Sequence, residues 1–205
     1  MRVPDTKAAA EATRLVAALT TPLLFDHSRR VFLLGSLHGR RLGLGPDPEL
    51  LYLAAMFHDT GLLTPFSETV QRFEVDGADH ARRFLVEQGF STEAADVVWT
   101  AVALHTTPEV PVRMGPEIAL THLGVLTDAV GVGLDALPPD AVREVTAAHP
   151  RGNFKQGFLR AMRDGLKDRP GTAYGTVNAD IVEHFMPELR RASMVDRVVG
   201  SPWQT

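Results

Sequence analysis

Four residues of the sequence have the chemistry to hold a divalent metal ion: His27, the adjacent pair His58 and Asp59, and Asp128. Imidazole nitrogen and carboxylate oxygen together suit zinc, iron, manganese and similar ions. The chain has no cysteine, so disulfides, thiolate ligands and cysteine nucleophiles are excluded and any metal rests on His and carboxylate. Neighbours on a helix point about 100° apart, so His58 and Asp59 can reach one ion only where a helix ends beside a loop. Asp128 lies within the apolar run from Leu120 to Val132, where an unpaired carboxylate is very costly. Its partner is either a metal or a buried arginine, and the residue pattern leaves both open. Gly124 and Gly131, four before and three after it, share its helix face and leave room beside the carboxylate, which favours an ion.

The elements that position these residues read as helices. Apolar residues recur at helical spacing almost throughout and no convincing alternating run marks a strand, so the expected class is all-α. A length of 205 residues with 44% hydrophobic and 22% charged residues suits one globular domain, its core spanning about residues 20–190. A short first helix ends before Pro22, and a second is expected from Asp26, as N-cap, to Leu42. Pro48 and Glu49 open a third that runs through an apolar stretch into His58-Asp59. Residues Leu62 to Val75 lack periodicity and read as a lid-like loop, with Phe66 and Phe73 either shaping an apolar pocket or filling the core. Further helices are expected at Asp76 to Gln88, Ser91 to His105, Pro116 to Val132, Pro139 to Ala148, Asn153 to Lys167 and Val177 to Val198. The last is broken at Met186-Pro187.

The net charge of −4 and the pI near 6.0 give no footprint for nucleic acid or an anionic membrane. The cluster of Arg29, Arg30, Arg40 and Arg41 reads as a solvated helix face. The polar N-terminus lacks the apolar core of a signal peptide, and no run approaches the ~20 apolar residues of a membrane span, so a cytoplasmic location is expected. His38 and His149 read as surface groups, and His122, six residues from Asp128 and out of phase with it, as packing elsewhere.

The order His27, His58-Asp59, Asp128 resembles the H…HD…D signature of the HD-domain metalloproteins, an all-α superfamily. Several segments look more specifically like its cyanamide hydratase branch: His27-Ser28-Arg29-Arg30-Val31-Phe32, Tyr52 through Gly61, Phe73-Glu74-Val75-Asp76-Gly77-Ala78, Val98 through Thr106, Gly115 through Gly124 and Pro150 through Lys155. The resemblance covers about residues 20–190 and implies His27, His58, Asp59 and Asp128 as metal ligands. Two-metal members of the superfamily have a histidine where this chain has Phe73, which implies one metal ion, zinc or iron foremost and manganese as a further choice. His80 and His105 are the candidates for a second site. Otherwise His80 flanks an apolar stripe, and His105, followed by Thr106, is placed to touch the ion, its water or the substrate.

The activity implied is hydration of a small nitrile- or cyanamide-like substrate, cyanamide giving urea. The ion would make hydroxide available near neutral pH, and Asp59 or His105 would pass the proton to nitrogen. The alternative is a phosphohydrolase, for which Arg29, Arg30, Arg151 and Lys155 are the candidate cations near a phosphate. A two-iron oxygenase and a non-catalytic metal-stabilised sensor are further options. The partner expected is a small molecule, with no nucleic acid or membrane, and an apolar face on the C-terminal helices is compatible with a homo-oligomer.

Overall fold

A computed structural model of the chain describes residues 3–63, 66–68, 70–189 and 193–203. Helices account for its regular structure, and no strand occurs among the described residues. Helix α1 (Lys7–Leu19) starts at Thr6, whose side chain accepts the Ala9 amide. Helix α2 (Pro22–Leu42) begins earlier than the expected Asp26: Thr21 accepts the Leu24 amide and Pro22 fills the first position, where its missing N–H costs nothing. Asp26 instead lies within α2 and accepts from His149 Nδ1 at 3.0 Å. Helix α3 (Pro48–Phe57) is capped by Asp47. Next come α4 (Phe73–Glu87), α5 (Thr92–Leu104), α6 (Pro116–Val130), α7 (Pro139–Ala148), α8 (Phe154–Leu166), α9 (Asn178–Phe185) and α10 (Met194–Val199). The break near Met186 divides the last expected helix into α9 and α10. Helix α4 begins at Phe73, before the expected Asp76, so the connection is shorter than the lid-like loop read from Leu62 to Val75. Thr64, Pro65 and Thr69 of that stretch lie outside the described residues.

Helix α3 is the centre of the bundle. No residue from Leu51 through Phe57 exceeds 1% exposure, because α1, α2, α4, α5 and α6 all pack around it. Burying each of its large side chains contributes roughly 1.5–3 kcal/mol. Helices α2 and α6 cross at close range: a Cβ at Gly35 would lie 2.5 Å from Leu120 O, and the Val31 carbonyl stands where a Cβ on Gly124 would go. The facing pairs Gly35 with Leu120, Val31 with Gly124 and His27 with Asp128 step by four residues along both helices in opposite directions. Gly124 therefore permits backbone contact rather than leaving room for an ion, and Gly131, at φ 79°, is the left-handed residue that ends α6.

A second apolar cluster, including Leu62, Phe73, Met162, Leu166 and Val182, joins α8 and α9 to the turn after α3. Buried Arg169 locks this junction by an ion pair to Asp76 and by donating to the carbonyls of Gly61, Glu68 and Gln71. No helix among the described residues is long and apolar enough to cross a membrane.

Candidate metal centre

His58 and Asp59 sit where α3 unwinds. His58 still has helical dihedrals, φ −56° and ψ −35°. Asp59, at φ −100° and ψ 2°, has left them, and the chain tightens into a 3-10 turn over Thr60–Leu62. The change of backbone between the two residues lets both side chains face one point, which a continuous helix would forbid. His27 reaches the same point from α2.

Each ring is held through the same nitrogen. His27 Nδ1 donates to Asp128 Oδ2 at 2.6 Å, His58 Nδ1 to the Ala55 carbonyl at 2.8 Å and His105 Nδ1 to the Val102 carbonyl at 2.6 Å. His58 and His105 are the C-caps of α3 and α5, and each ring bonds a carbonyl in the last turn of its own helix; the Val102 carbonyl also accepts the His105 backbone N–H. With the proton fixed on Nδ1, the Nε2 lone pairs point inward.

His27 Nε2, His58 Nε2 and Asp59 Oδ2 are buried and have no hydrogen-bond partner among the described residues. They converge within 4.8 Å of one another. Asp59 Oδ2 is 3.7 Å from His27 Nε2 and 3.1 Å from His58 Nε2. Donors ~2.1 Å from a tetrahedral ion lie about 3.4 Å apart, so the spacing and the chemistry of this set fit a divalent cation. Three orphaned polar atoms in a bundle core would otherwise each cost roughly 1–3 kcal/mol.

Burial would raise the Asp59 pKa, but the neighbouring imidazoles, His58 first, hold its carboxyl well below the usual range. Burial pushes the His27 pKa down, and pushes that of His105 to about 4, so both rings are neutral at pH 7. His58 moves the other way, because the Asp59 charge outweighs its burial.

Asp128 does not join the three open atoms. It stands behind His27, its remaining capacity taken by Arg30, at 2.7 and 2.9 Å, and by Arg151. The buried arginine partner left open by the sequence is thus what the structure shows. Arg30, fully buried, also donates to the carbonyls of His149 and Pro150, so it is no solvated residue. Arg29 donates to Tyr52 Oη at 2.7 Å and does not border the site.

His105 Nε2 lies 3.7 Å from Asp59 Oδ1. The next residue, Thr106, donates to the buried carboxylate of Glu74. Phe73 packs with its ring centroid 5.5 Å from that of His105. His80 is elsewhere: it bonds Thr60 Oγ1 at 3.2 Å and stacks on Phe66 with centroids 3.7 Å apart. His38, expected at the surface, is buried against Thr127 Oγ1, and His149 is half-buried. His122 does pack away from Asp128, donating from Nδ1 to the His105 carbonyl at 2.8 Å.

The sequence reading missed Glu74, a buried acid that also accepts from Asn178 Nδ2 at 2.9 Å. It likewise missed Phe154 and Phe158, whose rings flank His27. Glu74 opens α4 without a capping signal, and the two phenylalanines lie more than a hundred residues from His27, so only the fold brings them in.

His27, Asp59, His105, Phe73, Phe154 and Phe158 border a cavity of about 460 Å³ between α6, α8 and α9. Ligand sites of this kind commonly occupy 300–1,000 Å³. A second opening of similar size, about 450 Å³, is lined by Thr21, Glu68 and Asp168, away from the three open donor atoms.

Residues 24–131, which carry His27 and the His58-Asp59 pair at a helix end, match the HD domain family. The chain belongs to the HD-domain family. That membership makes it a metal-dependent protein of a hydrolase-type superfamily, in keeping with the buried His27, His58 and Asp59 cluster. The matched stretch of the HD domain runs from the start of α2 to the end of α6, which contains every residue of the cluster. None of the curated proteins compared with the chain matches it.

Proposed function

We propose that this HD domain is a metal-dependent hydratase that adds water across the C≡N bond of a nitrile- or cyanamide-like molecule, giving an amide or, from cyanamide, urea. The sequence motifs suggest this branch, and the observation that carries the reading is the lining of the cavity. A phosphate ester would need cations at the reacting group. Arg30 and Arg151 are committed to Asp128 and Arg29 to Tyr52, which leaves Lys155 as the cation that borders the cavity. A neutral substrate makes no such demand.

His27, His58 and Asp59 are the proposed ligands of one ion, with Asp128 orienting His27 from behind. Their nitrogen and oxygen donors suit zinc or iron first and manganese next. A divalent ion bound there would acidify a water to a pKa near ~7 and so supply hydroxide at neutral pH. His105 does the proton work. Neutral at pH 7 and open at Nε2, it takes a proton from water on the Asp59 side of the cavity and returns it to the substrate nitrogen. Phe73, Phe154 and Phe158 keep bulk water from the reacting carbon.

The test is urea release from cyanamide and amide release from simple nitriles by zinc- or iron-loaded protein. Product from either supports hydration. No product from any of them, together with phosphate release from nucleotides on manganese loading, would assign the site to phosphohydrolysis.

A further inference from the structure

We propose, building on the hydratase reading, that the substrate is a nitrile or substituted cyanamide carrying an apolar tail of several carbons, and that α6, α8 and α9 form the sleeve that holds it. Cyanamide has three heavy atoms and fills about 60–90 Å³, two to three times the ~30 Å³ of a liquid water. The cavity of about 460 Å³ is several times larger.

The excess space is not distributed evenly. Five polar groups of the lining, His27, Asp59, His105, Thr106 and Asn178, are buried, and His27, Asp59 and His105 among them belong to the cluster around the proposed ion. The rest of the wall is largely apolar, formed by Val125 and Ala129 of α6, Phe158 and Met162 of α8 and Ile181 of α9. Around the mouth the side chains of Val130, Leu159 and Val177 stand exposed to water without apolar cover. Isolated exposed apolar residues need no explanation, but three around the opening of an apolar shaft extend its surface outward. A buried polar cluster beside a larger apolar wall matches a molecule with its C≡N group at His27, Asp59 and His105 and its hydrocarbon portion along the sleeve. Lys155 and Asp180 also border the cavity, and both are exposed, so their charges stay in water at the rim.

The experiment measures affinity along a homologous series, acetonitrile through hexanenitrile, by titration calorimetry on zinc-loaded protein, with amide formation followed in the same samples. Each methylene that enters the sleeve should lower the dissociation constant about fourfold. Leu159→Trp and, separately, Val130→Phe narrow the mouth and should cut the ratio of hexanenitrile to acetonitrile affinity at least tenfold. An affinity that stays flat across the series overturns the proposal, and if amide still forms, hydration survives without it. Affinity that climbs without amide supports the apolar sleeve and overturns hydration instead.

Discussion

Asp59 and Asp128 are both buried acids with depressed pKa values, yet their surroundings differ in kind. Asp128 is saturated: His27, Arg30 and Arg151 all donate to it. Asp59 Oδ2 has no hydrogen-bond partner. The two isosteric substitutions should therefore part company in zinc binding. Asp128→Asn leaves guanidinium groups without their counter-charge and should cost about 3–5 kcal/mol in urea denaturation. Because the carboxylate also orients His27, zinc affinity should fall about 10–100-fold. Asp59→Asn should abolish zinc binding in calorimetry and also lower the metal-free midpoint, since the buried carboxylate is held ionised by the imidazoles beside it, His58 first. For His105→Gln, the expectation is a hydration rate lower by roughly 10²–10⁴ at unchanged metal content, measured on the same loaded preparation. The three clustered residues were legible in the sequence from residue type and from an apolar helix ending in His-Asp. The destination of Asp128 was not, because a carboxylate in an apolar helix looks the same whether it faces an ion or an arginine from another element.

Helices α2 and α6 set the depth of the site by how closely they approach. Gly35 and Gly124 let backbone touch backbone, and this contact brings His27 to Asp128 four residues further along each helix. Gly124→Ala should force the pair apart against the Val31 carbonyl. A loss of about 1–3 kcal/mol in thermal or chemical unfolding is expected, with weaker zinc binding as His27 turns. The role of Gly124 was misread from sequence because periodicity shows which face a residue occupies, and not what presses against that face. Element starts were legible where a cap exists, as at Pro48 after Asp47 and at Thr92 after Ser91. Helix α4 has no side-chain cap at Arg72, so its start at Phe73 carried no signal. At α2 the expected cap is Asp26, but the helix starts at Pro22 with Thr21 as its cap, because proline presets the first turn.

At the scale of the whole molecule, the all-α class followed from periodicity alone, whereas the cavity did not, since α8 and α9 contribute walls that close only through tertiary packing. Arg169 and Asp76 tie those helices to the turn that carries His58 and Asp59, so the proposed substrate wall and the metal cluster share one scaffold. Acid should loosen it. Burial first, and Arg83 next, lowers the His80 pKa to about 4, against ~6.5 in an unfolded chain. Between those values the unfolded chain binds the extra proton, so the contribution is intact above pH 6.5 and is lost as pH falls toward 4. Urea denaturation should show a decline of ~2 kcal/mol across that window, much reduced in His80→Gln. The central claim is a single ion held by His27, His58 and Asp59. It is tested most directly by elemental analysis of protein purified without a metal-binding tag, wild type beside His58→Ala. One equivalent of zinc or iron per chain, falling to near zero in the variant, is the expected result; two equivalents, or one that survives His58→Ala, would contradict it.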